Sequence, residues 1–385
     1  MKLTKISLAA LVALGAFSSV ASATPLEDAI KNVDLSGFAR YRYTNEKTTP
    51  AVGDKETDAG HQFKMLTTFK AALDDNFFGV LGLRYSTTDG SGSTNGDRTD
   101  TTDTFRVNEF YLGYKRDNTT VTLGKQIIGS YFTDDEAGTG IKVINTDIKG
   151  LTLAAIAFDA LEYSGETDSA IPQVAFSNNL YGVAAIGSYD PVNFQLWYAM
   201  LVDVANAIAA DVSFGFDISD DVNLGLQAQY GNVDVDDKVS ALYKDTNFYA
   251  TEAAASIFGV DLSLGYIGWK VKDKAKGFST LEDQGSFISY GEQTFDYTDL
   301  EGRGNFWFAT AGYGFGDFGI AAEYIKGDIK DDADKKTKME EYVGRFSYDY
   351  SSKLVFESWY SHAKAKVDSS KTKSDAFRFE AKYSF

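Results

Sequence analysis

Three acids, Asp134, Asp135 and Glu136, stand in a row within G-S-Y-F-T-D-D-E-A-G-T-G (residues 129–140), flanked by aromatics and glycines. Consecutive carboxylates offer hard oxygen to a cation, or a negative lining to a water-filled passage. The plain alternative is a solvated loop face. A facing set of bases is spread along the chain: Arg40, Arg42, Lys64, Arg84, Arg106, Arg345 and Arg378. Acids on one wall of an aqueous space and bases on the other would set up a transverse field that orients small dipolar solutes. Other chemistry has little to stand on. The 385 residues hold no Cys and only two His, His61 and His362, which excludes a thiol nucleophile, a disulfide framework and a multi-histidine metal centre. Neither His has a local partner set for a serine hydrolase. Asp331, Asp332 and Asp334 lie in G-D-I-K-D-D-A-D-K-K, which lacks the Gly and Glu positions of a calcium loop, and they read as a solvated loop. The run G-Y-G-F-G-D-F-G at 312–319 is a strand turn with no following helix. A formal charge of −18 argues against a nucleic-acid partner.

The elements that must position these charges are strands. The last eleven residues, D-A-F-R-F-E-A-K-Y-S-F at 375–385, place Phe377, Phe379, Ala381, Tyr383 and Phe385 on one face and Arg378, Glu380, Lys382 and Ser384 on the other. Period-two alternation is the mark of a strand, because successive side chains leave opposite faces. The same pattern runs back through the chain. Val33, Leu35, Gly37, Ala39 and Tyr41 oppose Asp34, Ser36, Phe38, Arg40 and Arg42. Residues 208–218 and 222–230 form the clearest hairpin, with Asp211, Gln227 and Gln229 on its polar face. About eighteen strands emerge, joined alternately by short turns and long polar loops. The expected fold is all-β: a transmembrane antiparallel barrel with short periplasmic turns, long extracellular loops and an inward-folded third loop around 129–140. An apolar row faces lipid and a polar row faces a lumen too wide for its own side chains to fill. The segment around 105–114 needs a bulge, because Arg106 and Glu109 cannot otherwise both face inward.

Residues 1–23 read as a secretory signal: Lys2 and Lys5, an apolar stretch, then Ala21-Ser22-Ala23. Residues 24–385 are then one barrel domain. The expectation is a non-enzymatic channel for ions and small hydrophilic solutes, mildly cation-selective, in the outer membrane of a Gram-negative cell. A solute-specific channel would need a ladder of lumenal aromatics, and only Phe38 and Trp359 are placed for it. A surface adhesin or structural anchor is the reading from another class.

Six stretches are similar to the Campylobacter-type major outer-membrane porins: T-P-L-E-D-A-I-K-N-V-D-L-S-G-F-A-R-Y-R-Y (24–43), L-G-K-Q (123–126), G-T-G-I-K-V-I-N (138–145), I-K-G-L-T-L-A-A-I-A-F-D-A (148–160), L-Y-G-V-A-A-I-G-S-Y-D (180–190) and L-E-D-Q-G (281–285). The resemblance runs from the signal to the terminal Phe. It implies an eighteen-stranded general porin assembled as a homotrimer in outer-membrane lipid. It also implies a calcium ion near the constriction, held by carboxylates of the inward loop and its neighbours. Here those positions fall on Asp135 or Glu136 in the third loop, Asp168 in the fourth and Glu292 in the seventh. The third loop is shorter than the family pattern, with D-D-E directly before A-G-T-G.

Overall fold

The computed structural model describes residues 33–91, 99, 101–162 and 178–385. The signal segment 1–23 and Asp168 lie outside the described residues. Eighteen strands form a single antiparallel sheet. They are β1 (Asp34–Thr49), β2 (Glu56–Ala72), β3 (Phe77–Gly90), β4 (Arg106–Arg116), β5 (Thr119–Ile127), β6 (Ala137–Asn145), β7 (Leu151–Leu161), β8 (Leu180–Tyr189), β9 (Val192–Leu201), β10 (Ala205–Ser219), β11 (Val222–Val235), β12 (Thr246–Ile257), β13 (Val260–Val271), β16 (Arg303–Phe315), β17 (Phe318–Lys330), β18 (Lys336–Asp349), β19 (Leu354–Val367) and β20 (Ser370–Ser384). Between β13 and β16, β14 (Lys276–Gly277) and β15 (Leu300–Glu301) make a two-rung ladder inside the seventh loop. The sheet closes because β1 pairs with β20, Tyr41 opposite Ala381, as well as with β2, Tyr41 opposite Phe63. Closure leaves no unpaired edge, which is what allows a sheet to stand in lipid.

Each strand alternates as the sequence predicts. Leu123, Leu226, Leu264 and Trp307 are among the exposed large apolar residues and share the outer face. Near the short turns, outward aromatics form a continuous row. Phe318 stacks on Tyr348 at 4.6 Å and on Phe315 at 5.7 Å, and Tyr348 stacks on Phe356 at 6.2 Å. Amphipathic rings at that level form an interfacial girdle. The bulge required in β4 is present. The β3–β4 register slips between Gly82 and Leu83, so that Gly82 faces Glu109 while Arg84 faces Arg106. The extra residue lets Arg106 and Glu109 share the inner face while Val107 and Phe110 both stay exposed outside. Lys125 follows the outer parity of Leu123, and its Nζ donates to the Val107 carbonyl.

Strands extend further beyond the outer end than the alternation of apolar residues reveals. The polar stretch 44–60, whose composition would suit a long loop, is mostly strand: Thr44 pairs with Gly60 and Thr48 with Glu56. Backbone pairing continues there without an apolar face to signal it.

The core lies inside the barrel, against one arc of its wall. Trp197, Phe248, Ile267, Trp269, Phe306 and Phe308 point inward and are buried under two loops, residues 128–136 and 272–302. The lumen is therefore asymmetric. Loops pack on the apolar arc and the charged arc stays open opposite them.

Candidate functional site

The predicted bases occupy one continuous arc. Arg345 is on β18, Arg378 on β20, Arg40 and Arg42 on β1, Lys64 on β2, Arg84 on β3 and Arg106 on β4. These strands are neighbours around the barrel, with β19 between β18 and β20. Acids interleave with the bases. Arg42 donates to Glu380 at 2.9 Å through Nε, and Arg40 approaches the same carboxylate at 3.9 Å. Arg345 grips Glu323 with Nε at 2.5 Å and Nη2 at 3.1 Å, and reaches Glu292 of the seventh loop at 2.5 Å. Arg378 lies 4.9 Å from the Trp359 ring centre and 3.9 Å from Glu292. Phe38 and Trp359, the two inward aromatics expected from the sequence, each sit beside a cation, Phe38 beneath Lys382 at 4.8 Å. They are not alone, since Trp197, Phe248, Trp269, Phe306 and Phe308 also point inward, under the loops.

The third loop carries its acids to this arc. Lys64 Nζ donates to Asp135 Oδ2 at 2.8 Å, spanning wall to loop. Arg84 pairs with Glu162 just past β7. Two loops, not one, fold inward. The seventh is locked to the third: Leu281 N donates to Phe132 O at 2.8 Å and Ser286 N to Tyr131 O at 2.9 Å. Glu282 Oε2 accepts from the amides of Asp134 at 3.0 Å and Glu136 at 2.8 Å. Phe287 fills the seam, 4.9 Å from Tyr131 and 4.4 Å from Phe248 between ring centres.

The seventh loop is also pinned to the wall. Glu341 on β18 is fully buried. It accepts from Glu292 N at 2.8 Å, Gln293 N at 3.2 Å, Thr294 Oγ1 at 2.5 Å and Ser361 Oγ at 2.6 Å. Gly291 N donates to Glu323 at 2.9 Å, and Ile288 N to Gln229 Oε1 at 2.7 Å. Glu282, Glu162, Glu323, Glu341 and Gln229 were not singled out as site residues from the sequence. Gln229 stood on the polar face of its hairpin, and in the Glu340-Glu341 pair alternation forces one carboxylate inward.

The acids at the loop junction perturb one another. Burial first, then the nearby carboxylates of Glu282, Glu162 and Asp135, push Glu136 up to about 9. Burial and then the hydrogen bond with Asp135 raise Glu282 to about 8. Burial pushes Asp135 upward as well, but the bond and charge of Lys64, the hydrogen bond with Glu282 and the charge of Arg84 together outweigh it and hold Asp135 below the usual range. Burial, followed by the charge of Asp135, raises Asp134.

The implied calcium can be tested against this junction. Both carboxylate oxygens of Glu136 are buried without a hydrogen-bond partner. An orphaned carboxylate beside Asp135 and Glu282 is a hard-oxygen donor set, whose chemistry fits calcium. Among the described residues no three acids already converge as a ligand group. Glu292 belongs to the Arg345 cluster, apart from Asp135 and Glu136 in its contacts.

The Campylobacter major outer membrane protein family model matches residues 1–385. The chain belongs to that family. No curated protein matches it. Among solved structures, this family barrel is similar to Pseudomonas aeruginosa OccK9 (OpdG), with a TM-score of 0.74 and 14% identity, covering 93% of this chain and 100% of that one. Pseudomonas aeruginosa OpdK with vanillate has a TM-score of 0.70 and 14% identity over 91% of this chain and 99% of the other. Acinetobacter baumannii OccAB2 has a TM-score of 0.70 and 14% identity over 91% and 98%. At such identity the likeness shows the fold alone, the closed antiparallel barrel.

Proposed function

We propose that the protein is a general porin, passing ions and small hydrophilic solutes by diffusion, and that its constriction is the gap between the third and seventh loops and the β18–β4 arc. The observation that supports this is the wall-to-loop pairing, Lys64 with Asp135 and Arg345 with Glu292. Charged side chains held across an aqueous gap orient dipolar solutes and repel apolar ones. Cation preference is mild, because arginines line the same passage while the chain as a whole carries −18. The proposed activity is not enzymatic.

Asp135 and Glu136 would offer calcium their oxygens at the loop junction, with Glu282 beside them. When bound, the ion supplies positive charge that neutralises these carboxylates. The chain's own residues do the rest: Lys64 orients Asp135, and the amides of Asp134 and Glu136 orient Glu282. The proposed assembly is a homotrimer in outer-membrane lipid, reached after removal of residues 1–23.

Planar-bilayer conductance under a salt gradient tests the reading. The expected record is ohmic, steps in threes and has a cation-biased reversal potential. A folded barrel that carries no current would sink the porin reading in favour of an adhesin or anchor. Calcium titration of wild type and Asp135→Ala should give different responses, and identical responses would remove the ion from this site.

A further inference from the structure

The outer ends of β18, β19 and β20 carry lysines on the lipid-facing side. Lys338 faces Lys366, Lys366 faces Lys371, and Lys364 faces Lys373 across the ladders. Directly opposed residues on one face are the closest neighbours a sheet offers, and like charges there are destabilising. Acids meet the group only along its β17–β18 flank, where Asp328 stands opposite Lys338 and Glu340 opposite Lys364; none stands between the lysines of β19 and β20. Lys338, Lys366, Lys371 and Lys373 are exposed and make no ion pair among the described residues. Lys364 leans on the Tyr342 ring at 5.6 Å.

The acids that share this face are committed elsewhere. Glu340 accepts from Tyr342 OH at 2.6 Å and Tyr324 OH at 3.1 Å. Asp375 accepts from Tyr360 OH at 2.6 Å and lies 2.7 Å from His362 Nδ1. Asp328 pairs with Lys336 at 2.9 Å, and Asp334 of the eighth loop pairs with Lys274. Asp331, Asp332 and Asp368 sit in the turns beyond the lysines. Along each strand the order is the same: an outward aromatic (Tyr342, Tyr360 or Phe377), then Glu340, His362 or Asp375, then the lysines two to four residues further out. Two residues of strand advance roughly 6.5 Å, so the ammonium groups lie just above the aromatic level, where headgroups begin.

We propose that this lysine face binds the phosphate groups of the outer leaflet's phosphorylated glycolipid, whose acyl chains lie along the aromatic and aliphatic surface below. Phosphate placed between opposed lysines turns a repulsion into an attraction, on a chain whose overall charge would otherwise repel an anionic lipid. The proposal rests on the outer-membrane reading of the barrel. A second copy of the chain is the poorer occupant, since it would bury several unpaired ammonium groups.

The test uses the full chain, refolded in detergent, as wild type and as the K338Q/K366Q/K371Q/K373Q variant. Each is titrated with bisphosphorylated lipid A and with its dephosphorylated form, and bound lipid is counted by native mass spectrometry. Wild type should bind the phosphorylated form at least tenfold more tightly than the dephosphorylated one, and the variant should lose that margin. Lysine-to-arginine changes at the same four positions should keep it, as should K149Q/K353Q at the opposite end of the barrel. Equal binding by wild type and the glutamine variant overturns the proposal, as does equal binding of the two lipids. Displacement by equimolar inorganic phosphate would make the site one for free anions, and a changed oligomer distribution at unchanged lipid binding would make it a contact between copies; either overturns it. Conductance, recorded in parallel, should be the same in wild type and variant, because no lumenal residue changes. Lipid binding without any current in wild type would strike the channel reading alone.

Discussion

Glu341 receives four donors from two segments of chain, three from the seventh loop and one from β19, and that makes one buried carboxylate the pin of the seventh loop. Truncating it strands two loop amides and two hydroxyls in a dry pocket, each unsatisfied group costing about 1–3 kcal/mol. Glu341→Ala should free residues 291–294 from the wall. Amide exchange across 278–299 should accelerate at least tenfold, and single-channel conductance should rise as the loop leaves the lumen. Unchanged conductance would mean that the loop is not part of the constriction. Arg345 acts in a different way. It is partly exposed to the lumen and neutralises Glu292 and Glu323 together. Arg345→Ala should leave the barrel folded and shift the reversal potential further toward cations, by several millivolts or more in a tenfold potassium chloride gradient. A shift toward anions would contradict the assigned lining.

At the scale of elements, the seam between the two inward loops is the part most open to disruption. Phe287 packs with Tyr131, Phe132, Phe248 and Tyr297. Phe287→Ala should cost about 3–5 kcal/mol of local stability and give flickering, multi-level currents from a barrel of normal heat stability. Gly285 guards the same seam. Its φ is +53°, and a Cβ there would lie 2.5 Å from the Tyr131 carbonyl oxygen, so Gly285→Val should reproduce the phenotype. The seam was not legible in the sequence, although the strands were. Alternation reports which way a side chain points, and that sufficed for Arg42, Lys64, Arg84, Arg345 and Arg378, and for the bulge that reconciles Arg106 with Glu109. Loop residues have no period. The third loop was legible through its acids, while the seventh, with Glu282 scattered among Gly and Ser, had nothing local to show that it folds inward. Its anchors, Glu341 and Gln229, read only as polar strand positions, because hydrogen bonds to a distant loop leave no trace in spacing.

At the scale of the molecule, the decisive assignment is which face meets lipid and which meets water. Adjacent residues near the middle of β13 divide it. Leu264 is 58% exposed on the outer face, whereas Ser263 points inward and lies 2.8 Å from Thr310 Oγ1. On β11, Gln227 points inward and donates to Asp211 at 2.9 Å. An arginine facing lipid near the bilayer midplane costs about 2–4 kcal/mol, and the same side chain in the lumen meets water and carboxylates instead. Leu264→Arg should therefore destabilise the barrel by roughly that amount in reversible denaturant unfolding from lipid vesicles. Gln227→Arg should cost much less and instead alter conductance, since it adds a base beside Asp211. A soluble sandwich would invert the contrast: an exposed arginine at 264 would be harmless and a buried one at 227 severe. The pair thus separates a membrane barrel from a soluble β-structure by energetics alone, without relying on any current being recorded.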